Sequence, residues 1–177
     1  MQDNVQEYQL PTGWRVEDVQ DNVNNQFGFT FLKPEIRTLS KSDLPPDEQD
    51  LFISDGIFAV KMFKGGAPIQ ATFITEDPIQ LSQGEYLVTV KFFADRVVSN
   101  NGGKEFHTNP DAAKVQGVFG SQKTAMTDVA LGQPNSISFP FNLQSSQALR
   151  VGLVFQANLP GSNNGWFIDD WSLVRTK

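Results

Sequence analysis

The chain has 177 residues, a formal net charge of -6 and no cysteine. This length supports one core burying roughly 70% of the unfolded surface, and the missing thiols exclude disulfide frameworks, thiolate metal sites and cysteine nucleophiles. The acidic balance, with lysines scattered singly, excludes the basic patch of a nucleic-acid or anionic-membrane surface. No apolar run approaches the roughly 20 residues of a membrane span. The N-terminus, Met1 to Tyr8, has neither a basic n-region nor an apolar h-region, so it does not read as a signal peptide. Abundant Asn and Gln lean the other way, towards an extracellular or cell-surface location.

Short β-branched and aromatic runs alternate with turn signals along the whole chain, which predicts an all-β, two-sheet antiparallel sandwich. Residues 1–10 are expected to be a loosely ordered start of a single domain spanning 1–177. The first clear run is 27–32, closed by Pro34. Residues 40–50, with Pro45-Pro46 and four acids, read as a surface loop containing a short helical turn near Pro46. Strands follow at 56–63 and 69–75. The turn 81–84 leads into the strongest strand, 85–98, where Tyr86, Val88, Val90 and Phe92 share one face and Leu87, Thr89, Lys91 and Phe93 the other. A long loop opens at residue 99 and runs to about Pro110. Residues 114–120 form a strand, 124–131 fit either a strand or a helical turn, and 136–143 form a strand whose Pro140 suggests an edge. A core strand covers 149–157. After a turn-rich loop at 160–165, the closing strand runs from Gly165 to Val174. Strict alternation there puts Phe167, Asp169, Trp171 and Leu173 on one face and Trp166, Ile168, Asp170 and Ser172 on the other. Asp169 then faces inward among apolar groups, where an unpartnered carboxylate is costly. Most of the fifteen Phe residues are expected in the core.

No catalytic signature stands out. The lone His107 sits in a loop, no Gly-x-Ser-x-Gly elbow is present, and Gly65-Gly66 and Gly102-Gly103 lack the Lys and helix of a phosphate loop. Paired carboxylates are the enzymatic alternative, a glycoside hydrolase or lyase, with Glu35, Asp95 and Asp170 placed to project from strands. For sugar binding the chain offers Lys61 and Phe63 on one strand and Lys91, Phe93, Asp95 and Arg96 on another. Arg150 and Gln156 add to these, and Trp14, Trp166 and Phe106 are candidate rim aromatics.

The closing strand, aromatic-aromatic-Ile-Asp-Asp-Trp-Ser-Leu, resembles that of galactose-binding-like jelly rolls, a fold shared by many carbohydrate-binding modules. Leu10-Pro-Thr-Gly-Trp14, Lys33-Pro-Glu-Ile36 and the run from Asp77 to Val98 fit the same order of elements. The resemblance implies a jelly roll that binds a polysaccharide or cell-surface glycan without catalysis. It also implies one structural calcium on Asp169, with Glu35, Glu17 or Asp18 as acidic partner in place of the family's missing Asn-Gly-x-Phe-Glu opening. A structural or adhesive module without sugar binding is the alternative.

Overall fold

The computed structural model describes residues 8–20, 35–66, 69–159 and 161–177. The expected run 27–32, Pro34, Lys33 and the first seven residues lie outside them. In chain order the elements are β1 (Tyr8–Gln9), β2 (Trp14–Gln20), β3 (Glu35–Ser40), α1 (Pro46–Phe52), β4 (Phe58–Gly66), β5 (Ile69–Thr75), β6 (Ile79–Leu81) and β7 (Gly84–Ser99). Then come β8 (Glu105–Phe106), β9 (Ala113–Phe119), β10 (Gln122–Lys123), β11 (Thr127–Asp128), β12 (Pro134–Leu143), β13 (Gln147–Leu149), β14 (Val151–Ala157) and β15 (Gly161–Arg175). The first sheet has the order β1-β3-β4-β15-β7-β12, with β8 on β7. The second runs β10-β9-β14-β5-β2, with β11 on β9, and β6 and β13 pair separately. The two sheets face each other as the expected β-sandwich.

Alternation drives this arrangement. In β7, Tyr86, Val88, Val90, Phe92 and Ala94 are buried while Leu87, Thr89 and Lys91 are half-exposed. The buried set meets Ile69, Ala71 and Phe73 of β5 and Val151, Leu153 and Phe155 of β14 in one core. Phe92, Phe155 and Trp166 tie the sheets together, with centroid distances of 5.1 to 5.7 Å. Trp14 of the second sheet packs on Trp171 of the first at 4.6 Å, closing one side. Pro134 and Pro140 lie in β12, which pairs only with β7, so the missing N–H groups fall on an edge strand. Of the ambiguous stretch 124–131, only Thr127–Asp128 joins a strand.

The closing strand departs from strict alternation. It begins at Gly161 rather than Gly165, so most of the expected 160–165 loop is paired. Ile168 lies opposite Phe92 and Trp171 opposite Val90, leaving Asp169 and Asp170 to face the single residue Lys91. This two-against-one bulge reverses the facing of everything after it. Trp166, Ile168, Trp171 and Leu173 therefore all pack on the main core, and Phe167 lies on the opposite face. The expectation that Asp169 faces the core beside Trp171 and Leu173 is corrected by this bulge.

The outer face of the first sheet is partly covered. Ser40 and Asp43 form a capping box on a short 3-10 turn, and Pro46 starts α1 at a position where its missing N–H costs nothing. Phe52 then stacks on Phe167 at 4.0 Å and tilts against Phe93 at 4.7 Å. Together with Leu39, Ile53 and Ala59 these rings make a second apolar cluster. Residues 40–50, expected as a surface loop, are the cover of this cluster.

Candidate functional site

Two surfaces gather polar side chains, one on each side of the sandwich. The first is a recess of about 360 Å³ beside α1, lined by Arg37, Glu48, Lys61, Phe63, Asp95, Lys104 and Asn163 among others. It brings together three of the expected ligand residues, Lys61, Phe63 and Asp95. Their polar groups already serve one another. Lys61 Nζ donates to Glu35 at 2.8 Å and sits 4.8 Å from the Phe63 ring centroid. Lys104 Nζ meets Glu48 at 2.5 Å and Asp95 at 3.2 Å, and lies 4.6 Å from the Phe52 ring centroid. Asn163 donates to Asp95 at 3.0 Å. Burial pushes the Asp95 carboxyl above its ordinary value, against the pull of Lys104 and Asn163. Glu35 is pushed up by partial burial but is held below its usual value by Lys61 and Arg37 together.

The second surface is the outer face of the second sheet, and the strand register builds it row by row. Gln156 of β14 lies between Lys114 of β9 and Gln70 of β5. In the next row Val154 lies between Gln116 and Thr72, with Glu17 of β2 beyond. In the third Gly152 lies between Val118 and Ile74, with Arg15 beyond. Ile74, Val118 and Val154 form a small apolar floor, each no more than 6% exposed. Gln116 Nε2 is committed to the Thr124 carbonyl at 2.6 Å, and Arg15 pairs with Glu17. Gln70 and Gln156 are half-buried and their amides make no hydrogen bond among the described residues. Arg15 Nε is buried without a partner there.

The remaining sequence candidates scatter. Trp166 is 0% exposed and Phe93 1%, so both are core rings rather than ligand platforms. Arg96 is also 0% exposed. Its guanidinium donates to three backbone carbonyls, Ala112 at 3.2 Å, Asn163 at 3.2 Å and Leu159 at 2.5 Å, which makes it a staple between two loops and the start of β15. Burial pushes its pKa down to about 10. Trp14 is spent on Trp171. Phe106 packs against Phe93 at 6.1 Å and covers Gly132, where a Cβ would come within 2.6 Å of the ring. Arg150 donates to the Glu76 carbonyl at 3.0 Å. Lys91 stands 3.2 Å from Asp170. Of the second surface only Gln156 was among the expected sugar contacts, and Glu17 among the expected metal partners. Gln70, Thr72 and Gln116 alternate with buried Ile69, Ala71, Phe73 and Val115, a pattern visible in the sequence. What no single strand shows is that these side chains stand in adjacent rows.

The metal expectation is tested by its donors. Asp169 accepts from Ser54 Oγ at 2.7 Å and from the Asp55 N–H at 2.9 Å. Glu35 lies opposite Phe63, which lies opposite Gly165, four residues before Asp169. At the rise of a β-strand this separates the two carboxylates by roughly 13 Å along the sheet. They do not form one calcium site, which needs six to eight converging oxygens. Among the described residues no group of three or more Asp, Glu or His is arranged to hold a metal ion.

No protein-family model and no curated protein matches the sequence. Solved structures do match in fold. TmCBM61, solved in complex with β-1,4-galactotriose, superposes with a TM-score of 0.52 at 11% identity, covering 93% of this chain and 89% of the other. A structure from work on promiscuous carbohydrate-binding modules of the β-sandwich superfamily gives 0.53 at 10% identity, covering 92% and 57%. The CBM22-1–GH10 modules of a Clostridium thermocellum xylanase, complexed with xylohexaose, give 0.52 at 12% identity, covering 93% and 26%. The fold is that of the β-sandwich carbohydrate-binding modules. At these identities the likeness concerns the backbone and not the ligand. No helix among the described residues is long and apolar enough to cross a membrane.

Proposed function

We propose that this domain is a non-catalytic module that binds a polysaccharide or cell-surface glycan on the outer face of its second sheet. The observation that carries the reading is the pair Gln70 and Gln156, directly opposite each other on that face, half-buried and with amides that make no hydrogen bond among the described residues. An amide both donates and accepts, which suits sugar hydroxyls. The fold neighbours that were solved with bound oligosaccharides support the same reading. So does the state of the candidate acids. Glu35 is held by Lys61 and Arg37, Asp95 by Lys104 and Asn163, and Asp170 by Lys91. Each of the three is engaged by a neighbouring cation. A polysaccharide ligand implies an extracellular or cell-surface location.

The test is affinity electrophoresis and calorimetry against xylan, β-1,4-galactan and mixed β-glucans. At least one should retard the wild-type domain. The Gln70→Ala/Gln156→Ala double variant should bind it roughly 5- to 150-fold more weakly, from two hydrogen bonds of about 0.5–1.5 kcal/mol each. A blank across the panel refutes the function. Full binding by the double variant refutes the site. One observation favours the structural or adhesive alternative: Ile57 and Phe58, adjacent at the start of β4, are 60% and 55% exposed, an apolar tip suited to packing on a neighbouring domain.

A further inference from the structure

The bulge in β15 leaves three carboxylates and one lysine at the same place. Asp169 and Asp170 face Lys91 across the strand pair, and Asp169 also fastens the turn 54–55 that carries Asp55. Lys91 Nζ stands 3.2 Å from Asp170 and 3.9 Å from Asp55. Each carboxylate has its own compensation. Asp169 is met by a hydroxyl and an N–H, Asp170 by the ammonium, and Asp55 is 70% exposed to water. A structural cation is called for where buried carboxylate oxygens converge without donors. Among the described residues no carboxylate oxygen is both buried and unpartnered.

We infer that in this chain the Lys91 ammonium is the built-in cation that joins the closing strand to the 54–55 turn, and that the domain folds and melts independently of calcium. The position is set by the register. Because two residues of β15 face one of β7, both acidic side chains are brought to the single Lys91, and strict pairing would have separated them. The neighbouring acids draw the Lys91 pKa upward, Asp170 first and then Asp55 and Asp169, so the charge is permanent over the physiological range. A fixed ammonium at this point also opposes the entry of a second cation by direct repulsion.

The experiment is thermal unfolding of the full chain in EDTA and in millimolar calcium. The wild type should melt within about 1 °C in the two buffers. Lys91→Ala, which leaves three carboxylates without an internal cation, should melt about 2–4 °C lower in EDTA, the scale of a surface ion pair, and recover in calcium. Lys91→Arg, which keeps the charge, should behave as the wild type in both. A wild-type melting temperature that rises with calcium and falls with EDTA overturns the inference without any variant. A Lys91→Ala protein that melts as the wild type in EDTA, or ignores calcium, overturns it as well.

Discussion

Replacing Arg96 by Met is the sharpest test of the division between staple and ligand contact. Arg96 is fully buried, and its guanidinium holds the carbonyls of Ala112 just before β9, Leu159 just after β14 and Asn163 in β15. The fall of its pKa to about 10, well below the ordinary guanidinium value, corresponds to a burial cost on the order of 3 kcal/mol. The sign is that of a base with a depressed folded value. Above about pH 10 the folded chain loses a proton that the unfolded one still holds, so stability rises with pH only in that alkaline range. At neutral pH both states are charged and the cost stands undiminished. Three hydrogen bonds from a charged donor contribute about 1.5–3 kcal/mol each and outweigh it. Met relieves the burial cost but leaves three carbonyls without their donor. The expected net loss is about 2–5 kcal/mol, or roughly 4–20 °C in melting temperature for a domain of this size. Differential scanning calorimetry and urea unfolding measure it. Binding to any polysaccharide identified for the wild type should be unchanged below the melting temperature, because Arg96 does not reach the second sheet's outer face. A variant melting within about 2 °C of the wild type refutes the staple. One that keeps its stability and loses binding would return Arg96 to the ligand site.

Two further outcomes follow from the first sheet's outer face. Phe52→Ala removes the ring wedged between Phe93 and Phe167 and should cost about 3–5 kcal/mol. Hydrogen exchange should show the loss first in residues 46–53, while β7 and β15 stay protected. Asp95→Asn should remove one stabilising contribution from the acid side of the stability profile, so that the variant loses stability more steeply than the wild type as pH falls. The Asp95 pKa is raised in the folded state, so the wild-type residue takes up its proton before the unfolded chain does. Its destabilising charge is then relieved as pH falls through that raised value towards 3.8, a gain the Asn variant cannot show. Chemical unfolding of both proteins across that range measures the difference.

Much of the fold is legible in the strand alternation. The buried set of β7 and the paired phenylalanines of the core are readable because a half-buried strand must repeat every two residues. Gln156 was visible as an outward residue for the same reason. The failures share a cause. Trp166, Phe93 and Arg96 have the chemistry of ligand contacts, and a residue list does not say that α1 covers Phe93 or that loop carbonyls surround Arg96. Asp169 was placed by continuing an alternation that the structure interrupts. A bulge is a property of two strands in register, invisible in either alone.

The sequence by itself determined the class of the molecule: an all-β sandwich without thiol chemistry, without a basic interface and without a catalytic motif. Those features depend on composition and on local period. Tertiary structure alone decided which polar side chains stand together. Gln70 and Gln156 are 86 residues apart in the chain and are opposed only because β5 and β14 pair in one particular register. Lys91 meets Asp170 only because one strand carries an extra residue at that point. A surface that recognises a ligand is assembled across strands, and the free energy that sets its register comes from the core beneath it.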